Sequence, residues 1–222
     1  MGASKMKGKK KVLYLIIFIF IYMIYSFFLL KYFYKNGWLV NAYNVTYSNV
    51  TLALLSDFFV SLLVVMIIIL ILVIEKKTFY LSGTNKNGKR CSLLLFMVYI
   101  GIFIIQGDYS ISGIYPCFFY LVVVAFSEEF IFRGYIFTEL EKEIPTYLAV
   151  IISGVMWGAM HAFLPAIIKD YSIIQFLNAI LSEIGGGIIA GAMFTWLYKK
   201  SNSLILPIIV HALLDYYPVL FK

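Results

Sequence analysis

Apolar runs of roughly 20 residues recur from one end of this chain to the other, and a run of that length crosses the hydrocarbon core of a bilayer as one helix. Seven can be drawn: Val12–Leu30, Val50–Ile74, Ser92–Ile105, Gly113–Phe137, Thr146–Phe163, Ile173–Tyr198 and Ser203–Phe221, the third being the shortest. They leave no stretch for a separate soluble core. Of the 222 residues, 63% are hydrophobic and 13% charged, whereas a soluble domain is about a quarter charged. The expected fold is therefore all-α: a polytopic bundle of about seven transmembrane helices, with three spans in residues 1–112 and four in 113–222.

The net charge of +7 does not mark a nucleic-acid binder, because the basic residues sit in short clusters between spans rather than along one soluble face. They report topology instead. With the N-terminus inside, fourteen of the 18 Lys and Arg residues fall in the inner segments and four outside, as the positive-inside rule requires. The tail and the Glu75–Cys91 loop carry five each, while Lys31, Lys35, Lys169 and Lys222 lie outside. The N-terminus is thus expected to be cytoplasmic and the C-terminus external.

The lysine-rich start followed by an apolar run imitates a signal peptide. The run is longer than an ordinary signal core and no small-x-small cleavage site follows it, so it is read as a retained first helix. Cys91 and Cys117 stand at opposite ends of one interval and imply no disulfide. No internal repeat signals a solenoid or an inverted-repeat transporter. Gly154/Gly158 and Gly187/Gly191 have the small-residue spacing that lets helices approach, and Gly185–Gly187 could loosen the sixth helix. The aromatics are read as lipid-facing and belt residues.

Polar residues in the wrong solvent carry the functional argument, since a charge at the bilayer centre costs about 2.5–3.5 kcal/mol even on a lenient scale. His161 and His211, the only histidines, lie inside apolar runs, as do Glu128, Glu129, Arg133, Asn178, Glu183 and Asp215. Counted from the inner ends at about 1.5 Å per residue, Glu128, His161 and His211 lie about 16, 24 and 16 Å deep. A modest tilt levels them.

Glu129 and Arg133 are i,i+4 and are read as a supporting pair. Glu128, about 100° around the helix, is left as the chemically active carboxylate. His211 and Asp215 are also i,i+4, so the carboxylate can orient the imidazole. Carboxylate and imidazole groups in a dry cavity can deprotonate water and stabilise an oxyanion, the two tasks of amide hydrolysis. Asn178 and Glu183 are read as interhelical glue.

Ser127-Glu128-Glu129-Phe130-Ile131-Phe132-Arg133-Gly134 resembles the EExxxR motif of the CAAX-protease and bacteriocin-processing (CPBP, or Abi) family of intramembrane peptidases. Trp157-Gly158-Ala159-Met160-His161 resembles its FxxxH motif, with Trp157 keeping an aromatic where Phe is usual. His211-Ala212-Leu213-Leu214-Asp215 resembles HxxxN/D, and an oxyanion role for Asp215 requires its protonated form. The resemblance covers about residues 113 to 221.

It implies an intramembrane endopeptidase acting on a membrane-associated peptide or protein, within membrane lipid, in a multi-pass protein of a bacterial plasma membrane. By carry-over Glu128 and His161 activate water, His211 and Asp215 stabilise the tetrahedral intermediate, and Glu129, Arg133 and Trp157 support them. Glu128, His161, His211 and Asp215 are also donors of the kinds Zn²⁺ accepts. There is no HExxH helix, and metal-free, glutamate-activated water is the preferred version. Two other functions use the same residues: a non-catalytic bacteriocin-immunity or partner-binding protein, and a proton- or metal-coupled transporter. Substrate identity and oligomeric state are left open.

Overall fold

A computed structural model of the protein describes residues 2–76 and 85–221, with side chains from Lys11 onward. The side chains of Lys5, Lys7, Lys9 and Lys10, loop residues 77–84 and Lys222, all of which bear on the charge count, lie outside the described residues. The described residues form helices throughout: α1 (Gly2–Lys35), α2 (Val50–Ile74), α3 (Lys86–Gln106), α4 (Ile111–Glu141), α5 (Thr146–Ile168), α6 (Ile173–Ser201) and α7 (Ile205–Phe221). Six are long and apolar enough to cross a membrane, and α7 is a shorter apolar helix ending in a 3₁₀ turn. The chain is an integral, multi-pass membrane protein.

The helix ends follow local chemistry. Gly37 and Gly107, at φ +67° and +72°, take the left-handed conformation that stops α1 and α3. The third span is longer than the apolar run suggested, because Asn85 caps it seven residues before Ser92, accepting from the N–H groups of Asn87 and Gly88. A reciprocal capping box opens α6: Ser172 N–H donates to Gln175 Oε1 (2.9 Å), and Gln175 N–H to Ser172 Oγ (3.4 Å). In α5 the helix turns at Ala162 before resuming at Phe163. Pro165 has no N–H for the carbonyl of His161, four residues back, so the irregularity falls beside that histidine.

Two compact units share these helices, Met1–Asn36 with Phe132–Met193 and Gly37–Ile131 with Phe194–Lys222. In the first, Phe27 of α1 meets Phe163 and Phe176 with ring centroids 5.5 and 5.2 Å apart. Lys11 binds Glu139 (3.0 Å) and Glu143 (3.1 Å) at the inner end of α4. The two glycine pairs face each other: a Cβ built on Gly187 would stand 2.5 Å from backbone atoms of Gly154 and Gly158. In the second unit, Tyr216 of α7 packs on Tyr99 of α3 and Tyr120 of α4. Tyr115 of α4 donates to the Asp57 carboxylate of α2. That intramembrane carboxylate was not singled out from the sequence. It needs a tyrosine from another span to satisfy it, and no local spacing announces such a partner.

Candidate active site

The Ser127–Glu129 turn of α4 is α-helical, but wide π-helical turns enclose it on both sides, Phe119–Phe126 and Phe130–Phe137. The sequence alone suggested a regular helix here. Ser127 turns its hydroxyl back on the carbonyls of Val123 and Val124, and Thr138 Oγ1 donates to the Arg133 carbonyl at 2.9 Å. Side-chain bonds of this kind answer carbonyls where helical geometry changes.

Within the second unit, three carboxylates surround His211. Glu129 Oε1 lies 2.9 Å from Nδ1, while Asp215 Oδ2 and Glu128 Oε2 lie 3.3 and 3.9 Å from Nε2. The imidazole stacks on Phe194 of α6, centroids 4.9 Å apart and planes 19° from parallel. Glu129 and His211 are buried, whereas the side chains of Glu128 and Asp215 are 27% and 34% exposed. The cluster therefore has a closed end and an open end.

An ionised carboxylate only accepts, so Nδ1–H donates to Glu129 and the ring is held in one orientation. A proton must also lie between Nε2 and Asp215, because a ring lone pair facing a carboxylate oxygen would be repelled. Glu129, read from sequence as the partner of Arg133, holds His211. Its partner is 82 residues away in the chain. Phe194 belongs to no motif and was not singled out; its only sequence signal was an aromatic at the end of an apolar run.

The other three site residues belong to the first unit. Arg133 is fully buried, and its guanidinium carbon stands 4.4 Å from the Trp157 ring centroid. Trp157 meets the His161 ring edge-on at 4.7 Å, and its carbonyl oxygen is 2.9 Å from His161 Nδ1. Nδ1–H donates to that carbonyl, which leaves Nε2 of a neutral ring as a proton acceptor. Arg133, Trp157 and His161 form a column in which the aromatic residue joins the arginine of one motif to the histidine of another. Gly191 leaves room beside it, since a Cβ there would lie 3.4 Å from Arg133 Nη2.

Glu183 and Asn178, read from sequence as glue between helices, are exposed on α6. Among the described residues no group of three or more His, Cys, Asp or Glu side chains is arranged to hold a metal ion. No step below is routed through a metal.

Fold and site together define a multi-span membrane protein with a carboxylate–imidazole cluster built inside its helices. Residues 110–217 match the model of the family described as Type II CAAX prenyl endopeptidase Rce1-like, a stretch that contains all seven site residues. A protein named CAAX prenyl protease 2, from Methanococcus maripaludis, is 34% identical over 125 residues, covering 52% of this chain and 45% of that protein. The chain thus spans less than half the length of that relative. No solved structure matches it. Over residues 110–217, just under half of the chain, it is thus similar to the CAAX-protease and bacteriocin-processing family.

Proposed function

We propose that this protein is an intramembrane endopeptidase that hydrolyses a peptide bond in a membrane-associated peptide or protein, using water activated by Glu128. One observation carries the reading: the partly open Glu128 and Asp215 flank the same nitrogen of a buried imidazole that Glu129 holds from behind. The arrangement supports a reading in which a base and a hydrogen-bond donor act side by side.

In the proposed reaction Glu128 takes a proton from water as the water oxygen bonds to the scissile carbonyl carbon. His161 shares that activation through Nε2; its part comes from its motif and its tautomer. His211 Nε2–H and protonated Asp215 donate to the oxyanion that forms. Glu128 then delivers its proton to the departing amide nitrogen as the C–N bond breaks, which leaves a carboxylic acid, an amine and the starting enzyme. Glu129 is a positioning residue for His211, and Arg133 and Trp157 are positioning residues for His161. The charge distribution supports a cytoplasmic N-terminus, and the setting we assign is a bacterial plasma membrane.

Comparative peptidomics of membranes carrying the intact protein and Glu128→Ala tests the reading. The expected result is accumulation of an uncut peptide in the variant at unchanged membrane level. Full processing or full immunity in Glu128→Ala would overturn it, because a binding-only or transport protein does not need that carboxylate as a base. Exhaustive chelation followed by metal analysis separates the two versions of the chemistry. Retained cleavage in metal-free protein is expected, and loss restored by Zn²⁺ would overturn the metal-free mechanism.

A further inference from the structure

The first unit holds a second polar feature that the proposed chemistry does not use. A cavity of about 590 Å³ is lined by Lys169, Tyr171, Gln175, Asn178, Ser182 and Glu183 together with small apolar residues of α5 and α6. Gln175, Asn178 and Ser182 follow one another at intervals of three and four residues and form one stripe on α6, and Glu183 stands beside it, about 100° further round the helix. Gln175 is explained by the capping box, and Ser182 Oγ is satisfied by the Ala179 carbonyl at 2.7 Å. Asn178 and Glu183 have no such explanation: among the described residues neither has a hydrogen-bond or ion-pair partner, and both are exposed.

Depth makes this costly. Glu183 lies ten residues into α6, about 15 Å along the helix at its usual rise. A carboxylate left against hydrocarbon at that depth is strongly disfavoured, whereas one lining a water-filled cavity is tolerated. The stripe does not end at Ser182. A Cβ built on Gly186 meets nothing within 4 Å, so the wall stays open past the carboxylate. The glycine contacts with α5 run along Gly187 and Gly191, i+4 and i+8 from Glu183, and a Cβ on Gly158 would meet the Glu183 carbonyl at 2.7 Å. Glu183 thus stands where the polar wall borders the helix contact.

We infer that Asn178, Ser182 and Glu183 line a hydrated vestibule that receives the polar stretch of a peptide substrate, with Glu183 facing a basic side chain of that peptide. As to its occupant, the inference rests on the endopeptidase reading. Charge complementarity selects the occupant: Lys169 and Tyr171 stand at the hairpin end of the cavity, and among the described residues Glu183 is the one carboxylate in its wall. An extended peptide offers backbone groups to Asn178 and a cation to Glu183, which a lipid acyl chain cannot do.

The test uses the full chain in proteoliposomes with Cys91→Ser, Cys117→Ala and Glu128→Ala, so that no native thiol reacts and no peptide is consumed. Ser182→Cys and Asn178→Cys should react with a charged, membrane-impermeant thiosulfonate at least about tenfold faster than Leu177→Cys, which is exposed about 140° around α6 from Ser182. Equal rates would overturn the vestibule. A palmitoylated nonapeptide with one lysine should then slow labelling at Ser182→Cys, and its norleucine counterpart should protect about tenfold less well. Protection that is equal for the two peptides, or unchanged by Glu183→Gln, would overturn the assigned occupant. The two readings fail separately. Slow labelling leaves the effect of Glu128→Ala on processing intact, and unaltered processing in Glu128→Ala leaves rapid labelling intact.

Discussion

Helices α4 and α6 are alike in composition and opposite in circumstance. Both are about 30 residues long and apolar, and each carries intramembrane carboxylates, yet 44% of the most apolar window of α4 is buried against 6% for α6. In α4 the fully buried Glu129 is met by an imidazole 2.9 Å away. In α6 the carboxylate of Glu183 opens on a cavity. A carboxylate in a membrane helix can be answered by another helix or by something that enters from outside, and these two spans use one solution each. The first builds a rigid site, and the second leaves room for an occupant.

The comparison can be broken in several places. The largest effect should come from Glu128→Ala, with peptide cleavage falling by about 10³-fold at unchanged protein level in a quantitative membrane assay. Glu129→Ala should be costly in a different way, since it leaves His211 without its partner at Nδ1. We expect a stability loss of about 3 kcal/mol in reversible unfolding, with cleavage reduced and its pH profile displaced. Glu183→Gln should show no comparable loss, and a large one would erase the distinction between the two helices.

Next in size, Gly187→Leu forces a side chain into the backbone of α5 and should destabilise the first unit by about 1–3 kcal/mol. Gly186→Leu, one residue earlier, meets open space and should unfold no more easily than the parent. Trp157→Leu removes the ring under Arg133 and should cost about 1–2 kcal/mol, with Trp157→Phe recovering much of it; an unchanged unfolding midpoint for Trp157→Leu would remove the column as a support. The smallest effect is that of Glu183→Gln itself, within about 0.5 kcal/mol in stability while peptide protection at Ser182→Cys is lost.

Much of this molecule was legible from residue order because lipid punishes polar groups so heavily. The spans follow from runs long enough to cross a bilayer, and α2 begins and ends where its run does, Val50–Ile74. The pairing of His211 with Asp215 follows from i,i+4 spacing on one helix. The N-terminus of α3 was less legible because its first turn is polar and only the cap of Asn85 shows where the helix starts. The π turns around Glu128 and Glu129 were not legible either, since a shift in hydrogen-bond register leaves no mark on hydropathy.

The sequence by itself determined the solvent, the helical class and the residues too polar to lie in lipid without cause, because those depend on chain composition and on spacing within single helices. Only the tertiary structure decided which partner each of those residues has. Glu129 reaches His211 across 82 residues of chain, Arg133 lies over Trp157, and Asn178 and Glu183 prove to be wall rather than glue. The physical reason is common to all of them. The cost of a buried charge is a property of the residue and its solvent, whereas its compensation depends on which helix face is brought against it, and that is set by packing.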